Sequence, residues 1–216
     1  MDYADAYVRS YQRIRSLVDD ETAGVEVPTC PGWTVKDVVA HLADFFAVYK
    51  SGDPTEAFDA GWGDRGVEQR RDRSLQECLQ EWSGQLEDSG GLFESHLAPV
   101  AVADVLAHEQ DIRTALDLPG ARDDENIIPA IEMALSFLEK RTADLPALRI
   151  VTDDVDRQIG DGEPSATLRT STYDLFRTLH GRRTVDQVKA MEWSGDPEPW
   201  IQNLFLFGPT ERIVEE

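Results

Sequence analysis

The stretch PGWTVKDVVAHLADFFAVY, residues 31–49, determines the architecture of the first half of the chain. A proline and a glycine at its start break any preceding helix. Thr34, followed three residues later by Asp37, resembles a capping box with aspartate in place of glutamate. The apolar residues behind this pair recur at spacings of three and four and therefore predict an amphipathic helix. One titratable side chain, His41, lies at the shoulder of its apolar face.

The same spacing predicts three more helices around this one. Their apolar residues lie within 3–18, 75–86 and 99–118. Residues 51–72 are rich in glycine, aspartate and arginine, show no sustained period, and predict a long connection that is a candidate cover or anion-binding loop. Four amphipathic helices joined by one long and several shorter connections are typical of a four-helix bundle.

The sequence pattern changes after Gly120. The second half is predicted to contain helices and short strands in alternation with turn residues. The helices are predicted over residues 127–140, 173–180 and 184–191, and the strands over 148–151 and 166–170. We therefore predict an α+β protein, with a four-helix bundle over residues 1–120 and a small α/β domain over residues 121–216.

Composition excludes several classes of partner. The chain carries 21 Lys and Arg against 42 Asp and Glu, a formal net charge of −21. Such an excess of acid repels nucleic acids and anionic membrane surfaces. The sequence has no signal-peptide pattern, no apolar run of about 20 residues, and too few cysteines for a disulfide framework. We expect a cytoplasmic protein without a nucleic-acid or membrane partner.

Three ionisable residues suggest a metal site. Asp104 and His108 are four residues apart, so they lie on one face of the fourth predicted helix, and His41 lies on the second. Two imidazoles and one carboxylate, with an open coordination position, are the ligands of a catalytic zinc site, and they also suit other divalent first-row metals. The alternative is that each is a half-buried, hydrogen-bonded polar residue. Asp111 lies on the same stripe and is a candidate to orient His108.

Three stretches carry a resemblance to a known family. They are VPTCPGWTVKDVVAHL (residues 27–42), AHEQDIR (107–113) and YDLFRTLHGRR (173–183). Together they resemble the mycothiol-dependent maleylpyruvate isomerase family. This resemblance implies a DinB-like metal-binding bundle followed by a C-terminal domain similar to sterol-carrier-like modules.

The resemblance also implies roles for individual residues. It assigns His41, Asp104 and His108 as metal ligands, and it implies a catalytic arginine in the second domain, for which Arg182 is our choice and Arg183 the other candidate. Position 104 holds aspartate where the family usually has glutamate. Its carboxylate therefore reaches about 1.5 Å less far, which predicts a tighter site, binding through water, or a weakly held metal.

The implied activity is thiol chemistry supported by a divalent metal, most simply zinc, with mycothiol as the thiol. In an isomerase the thiolate adds to a conjugated double bond of a small electrophile, the resulting single bond rotates, and elimination restores the double bond. In a transferase the thiol stays attached.

Two other functions fit the same residues. One is a non-catalytic binding or regulatory module with a degraded metal site, which the shorter Asp104 favours. The other is a hydrolase that activates a metal-bound water. Cys30, just before the second helix, is expected to be a small packing residue, with a fourth metal ligand or a reactive thiol as alternatives.

Overall fold

The computed structural model describes residues 2–51, 61–89, 91–214 and 216. Within them the chain forms nine α-helices and four β-strands. It divides into two compact units, Met1–Gly120 and Ala121–Glu216. The helices and strands confirm the predicted α+β class.

The described regular elements of the first unit are helices, apart from an isolated β-bridge between Glu26 and Thr34. The helices are α1 (Tyr3–Leu17), α2 (Val35–Ser51), α3 (Trp62–Gln69), α4 (Leu75–Glu87) and α5 (Ala98–Ala115), and a 3₁₀ turn spans Leu92–Glu94. The capping box predicted for α2 is present: the backbone N–H of Thr34 donates to Asp37 Oδ2 (2.9 Å), and the backbone N–H of Asp37 donates to Thr34 Oγ1 (3.3 Å). The helix therefore begins where local chemistry sets its start.

Helix α2 is the centre of the bundle. It packs against α4 and α5, and α1 packs against α5. Helix α4 also contacts α1, because the Nε1 atom of Trp82 on α4 donates to the Tyr7 hydroxyl on α1 (3.1 Å). Because neighbours surround α2, its polar residues His41 and Asp44 lie in the interior with the apolar ones. None of the helices that the structure describes is long and apolar enough to cross a bilayer.

The predicted long connection over residues 51–72 is wrong in part, because it contains α3, which packs on α2. Residues 52–60 of that connection lie outside the described residues. Helix α3 is short and carries two glycines, so periodicity did not reveal it. Tertiary contacts hold it: the Arg70 guanidinium at its end donates to Asp44 Oδ1 (2.6 Å), and a Cβ on Gly66 would lie 2.6 Å from Asp44 Oδ2.

The second unit combines helices with a mixed sheet. Its elements are α6 (Ile127–Arg141), β1 (Leu148–Val151), β2 (Asp156–Ile159), β3 (Ala166–Arg169), α7 (Thr172–Leu179), α8 (Val185–Lys189), β4 (Glu192–Gly195) and α9 (Glu198–Ile201). The strand order is β2-β1-β3-β4, with β1 and β3 parallel and both outer pairings antiparallel. Strands β1 and β3 match the prediction, whereas β2 and β4, which bury few residues, were not predicted.

A buried ion-pair network ties Glu216 to helix α7. The Arg177 side chain is fully buried, and its Nη2 donates to Glu216 Oε1 (2.5 Å). Arg183 donates to Glu216 Oε2 (2.8 Å) and to Asp174 Oδ1 (2.8 Å). Because a buried charge is costly without its partner, Glu216 stabilises this part of the second unit by compensating two arginines.

We expect Glu216→Gln to lower the free energy of unfolding by about 3 kcal/mol, because both arginines then lose a buried counter-charge. Urea unfolding followed by circular dichroism measures this change. The matched control is Glu211→Gln, at an exposed position in the same segment, which should change the free energy by less than about 0.5 kcal/mol. Equal effects of the two substitutions would contradict the assignment.

Candidate metal centre

Helices α2 and α5 bring three of the predicted site residues together. His41 Nε2 lies 3.5 Å from Asp104 Oδ2, and His108 Nε2 lies 3.6 Å from Asp104 Oδ1. The two imidazole ring centroids are 4.9 Å apart. One carboxylate therefore lies between the Nε2 atoms of two histidines that are 67 residues apart in the chain, and it presents a different oxygen to each.

This arrangement fits a shared cation better than direct hydrogen bonds. Both nitrogen–oxygen distances exceed the usual 2.7–3.2 Å of a hydrogen bond. Two ligands at about 2.05 Å from a tetrahedral zinc ion are about 3.3 Å apart, close to the separations seen here. The three ligand atoms all lie within 4.8 Å of one another. The residues present therefore fit a divalent metal ion with three protein ligands.

The shorter carboxylate of Asp104 reaches both histidines. The side chain is 24% exposed, whereas those of His41 and His108 are 6% and 7% exposed. The centre is therefore closed around the imidazoles and accessible to solvent beside Asp104. The hypothesis of a degraded metal site assumed that the Asp104 carboxylate is too short to reach both histidines. The distances of 3.5 and 3.6 Å argue against that assumption.

A hydrogen-bond network orients His108. Its Nδ1 lies 3.0 Å from Asp111 Oδ2, so the carboxylate accepts the Nδ1 proton and leaves Nε2 available as a ligand atom. Asp111 is fully buried, and it also accepts the Thr29 hydroxyl (2.8 Å) and the Cys30 thiol (3.3 Å). The predicted orienting residue is thus in contact with His108, and the sequence analysis missed Thr29.

Cys30 lies on the Nδ1 side of His108. Its sulfur is half-buried and 3.9 Å from His108 Nδ1, on the ring edge opposite the one that faces Asp104. Cys30, Asp111 and this ring edge also bring three possible ligand atoms together. Because the contact from Asp111 to His108 has hydrogen-bond length, we interpret this group as the network that orients His108.

Burial sets the protonation of groups near the centre. Desolvation is the main cause that lowers the pKa of His108, opposed by the negative charge of Asp104 and the hydrogen bond to Asp111. The neutral imidazole is the form that binds metals. Burial first, and the charge of the Asp104 carboxylate second, raise the pKa of Tyr7 well above its usual value, so this phenol stays protonated.

Aromatic rings surround His41. The Trp33 ring centroid lies 5.1 Å from the imidazole of His41 and 6.2 Å from that of His108. Trp62 of α3 contacts His41 edge-on, with ring centroids 4.7 Å apart. The His41 Nδ1 atom is buried and has no hydrogen-bond partner among the described residues. The sequence carried no signal for Trp62, because it lies within the stretch interpreted as a loop.

Three arginines in or next to the predicted covering loop are engaged in ion pairs. Arg70 pairs with Asp44 and Glu81, Arg71 with Glu68, and Arg73 with Glu81. These three guanidinium groups therefore have acidic partners within the first unit. The part of the connection next to His41 is helix α3.

The predicted catalytic arginine lies in the second unit. Arg182 follows α7, and its Nη1 donates to the carbonyl oxygen of His180 (2.5 Å). Arg183, the other candidate, is 6% exposed and bound to Asp174 and Glu216. Arg183 is thus held in a buried ion-pair network, and the role of Arg182 stays a prediction.

A family model matches the first part of the chain. Residues 4–94 match the family model described as the mycothiol maleylpyruvate isomerase N-terminal domain. The resemblance predicted from the sequence is confirmed. This match includes His41 and ends before Asp104 and His108. No protein of curated function matches the sequence.

Solved structures extend the likeness to most of the chain. The crystal structure of the mycothiol-dependent maleylpyruvate isomerase is 15% identical, with a TM-score of 0.54, and the match covers 90% of this chain and 91% of that one. A histidine-to-alanine mutant of a mycothiol-dependent maleylpyruvate isomerase is 14% identical, with a TM-score of 0.60 and the same coverage. At these identities the likeness shows the fold.

We expect Asp111→Asn to change the tautomer of His108 in metal-free protein. The wild-type contact places the proton on Nδ1, whereas the asparagine amide can donate to Nδ1 and move the proton to Nε2. Imidazole ¹⁵N chemical shifts measure the change. His41 serves as the internal control, and an unchanged His108 tautomer would show that Asp111 does not set it.

Proposed function

We propose that this chain is a metal-dependent enzyme that acts with a low-molecular-weight thiol, mycothiol in the simplest case, on a small electrophile. The reaction is an isomerisation through thiol addition, or a transfer of the thiol. The observation that carries the proposal is the convergence of two imidazole Nε2 atoms on one carboxylate, within the fold of a thiol-dependent isomerase.

Each residue of the centre has a separate role in this proposal. His41, Asp104 and His108 hold the cation, for which zinc is the simplest choice. A bound divalent cation supplies one effect, which is to lower the pKa of a thiol so that its nucleophilic thiolate form predominates near neutral pH. Asp111 keeps the proton of His108 on Nδ1, so that Nε2 faces the cation.

The surroundings decide where the substrates approach. Trp33 and Trp62 cover the imidazole of His41 and exclude water there. The partly exposed carboxylate of Asp104 marks the accessible side, where thiol and electrophile enter.

We assign Arg182 to binding a substrate carboxylate, since a guanidinium binds this group through two parallel hydrogen bonds. Dependence on a small thiol fits a reducing cytoplasmic setting.

We expect purified protein to bind roughly one zinc ion per chain, and His108→Ala to lose it, because two remaining ligands hold zinc poorly. Elemental analysis after dialysis measures the metal. Asp104→Asn should also weaken binding, because the amide removes the negative charge from the site.

The matched control is His96→Ala, which removes an exposed histidine close in sequence to α5. This variant should keep the wild-type metal content. Wild-type protein that contains no divalent metal and takes up none on addition would contradict the metal-dependent proposal and favour a binding module.

Activity with a panel of electrophiles tests the chemistry. We expect thiol consumption or cis–trans isomerisation with zinc-loaded protein and a small thiol, and a loss of at least about tenfold after chelation or in His108→Ala. Absorbance assays measure the free thiol and the conjugated double bond.

Two results would count against the thiol-dependent reaction. Turnover that continues at the same rate without any thiol favours a hydrolase. Zinc-loaded protein that neither consumes thiol nor isomerises any electrophile contradicts the proposed activity, even where metal binding is intact.

A further inference from the structure

The two histidines of the centre are held in different ways. His108 has a buried carboxylate on its Nδ1 atom, 3.0 Å away. His41 has no hydrogen-bond partner on Nδ1 among the described residues. A metal-binding histidine usually donates its second ring N–H to an oxygen acceptor, which fixes the ring. Among the described residues, packing contacts take the place of a hydrogen bond on Nδ1 in orienting His41.

Helix α3 supplies contacts that can take this role. The ring of Trp62 packs edge-on against the imidazole of His41 (4.7 Å between centroids) and against Phe45 one turn later on α2 (5.8 Å). Gly63 is the next residue, and a Cβ there would lie 3.4 Å from His41 Nδ1 and 2.9 Å from Trp33 Cη2. The backbone of α3 thus packs so closely on Trp33 that a side chain would displace the indole, whereas it would only touch the Nδ1 edge of His41.

Trp33 is connected to the same helix. Its ring lies against His41, and its Nε1 donates to Asp64 Oδ1 of α3 (3.0 Å). Three consecutive residues of α3, Trp62, Gly63 and Asp64, therefore act on His41, either directly or through Trp33. We refer to residues 62–64 as the α3 clamp.

The α3 clamp is itself fixed to α2. Arg70, at the end of α3, donates to Asp44 Oδ1 (2.6 Å) and to the carbonyl oxygen of Gly66 (3.0 Å). Asp44 is buried and lies three residues after His41 on the same helix. The α3 clamp is thus held on the helix that carries His41, so it can fix the imidazole ring relative to the backbone of α2.

We propose that the α3 clamp positions His41 for metal binding by packing alone, with Trp62 as the positioning residue and Gly63 as the residue whose small size permits the contact. This inference rests on the proposed metal site. It assigns to α3 the task that the hydrogen bond from His108 Nδ1 to Asp111 performs for His108. It also assigns a metal-linked role to a helix that contains none of the three ligands.

The first test uses a substitution that should lower metal affinity without lowering the stability of the fold. Gly63→Ala adds a better helix former and a Cβ that would lie 2.9 Å from Trp33 Cη2, so the Trp33 ring shifts against His41. Cobalt affinity should then fall roughly tenfold while the urea midpoint of metal-free protein holds or rises. Gly84→Ala on α4 is the matched control, because its Cβ meets nothing within 4 Å. It should raise the midpoint and leave cobalt affinity unchanged.

Trp62 provides the second pair of variants. Trp62→Ala removes the ring and should weaken cobalt binding roughly tenfold, whereas Trp62→Phe keeps an aromatic ring and should restore most of the affinity. Competition with a chromophoric chelator measures affinity. The visible absorption of bound Co²⁺ reports ligand geometry, which a purely structural role of Trp62 would leave unchanged.

Metal-free protein separates this inference from the proposed function. The imidazole resonances of His41 should shift in Gly63→Ala and Trp62→Ala, because the ring changes its position relative to Trp33 and Trp62, while those of His108 change less. Wild-type protein that binds no Co²⁺ contradicts the proposed function. Unchanged His41 resonances, or wild-type cobalt affinity and spectrum in both variants, would overturn the role of the clamp.

Discussion

The meeting of two buried imidazoles at one carboxylate is the constraint on which the first unit depends. His41 and His108 come from different helices, and each directs Nε2 toward Asp104. A divalent cation shared by all three groups would compensate the charge of the Asp104 carboxylate directly. The packing of α2 against α5 is therefore also the geometry of the site.

Several other interior charges are paired within the protein. Glu109, next to His108, is fully buried and accepts from Arg13 of α1 and from Arg113 one turn later on α5. Arg70 and Arg177 are compensated in the same way in the first and second units. Since the chain carries a net charge of −21, the pairing inside leaves the excess of acid on the surface. Such a surface favours solubility and repels anions in general.

The two histidines divide the candidate site into a rigid and an adaptable half. The buried carboxylate of Asp111 accepts from three donors and fixes His108. Because a buried carboxylate without hydrogen-bond donors is costly, this network stays intact. Packing fixes His41, and packing contacts have no strong directional preference, so small changes in α3 can move the ring.

Local chemistry explains what was predictable. The boxes at Thr34 and Thr184 satisfy backbone groups within four residues, so sequence alone locates the starts of α2 and α8. The four-residue spacing of Asp104 and His108 places both on one helix face for the same reason. Periodicity placed His41 at the shoulder of α2, and the resemblance supported all three residues as ligands. The position of His41 next to the other two follows from the packing of α2 on α5.

The sequence by itself determined the α+β class, the main helices, two of the strands and the ligand candidates, because each depends on periodicity or on neighbours a few residues away. Only the tertiary structure decided the helix over residues 62–69, the contact of Trp62 with His41, and the hydrogen bond from Thr29 to Asp111. These contacts join residues 21 and 82 positions apart, or depend on the close approach of a glycine backbone, and no local pattern encodes such a distance.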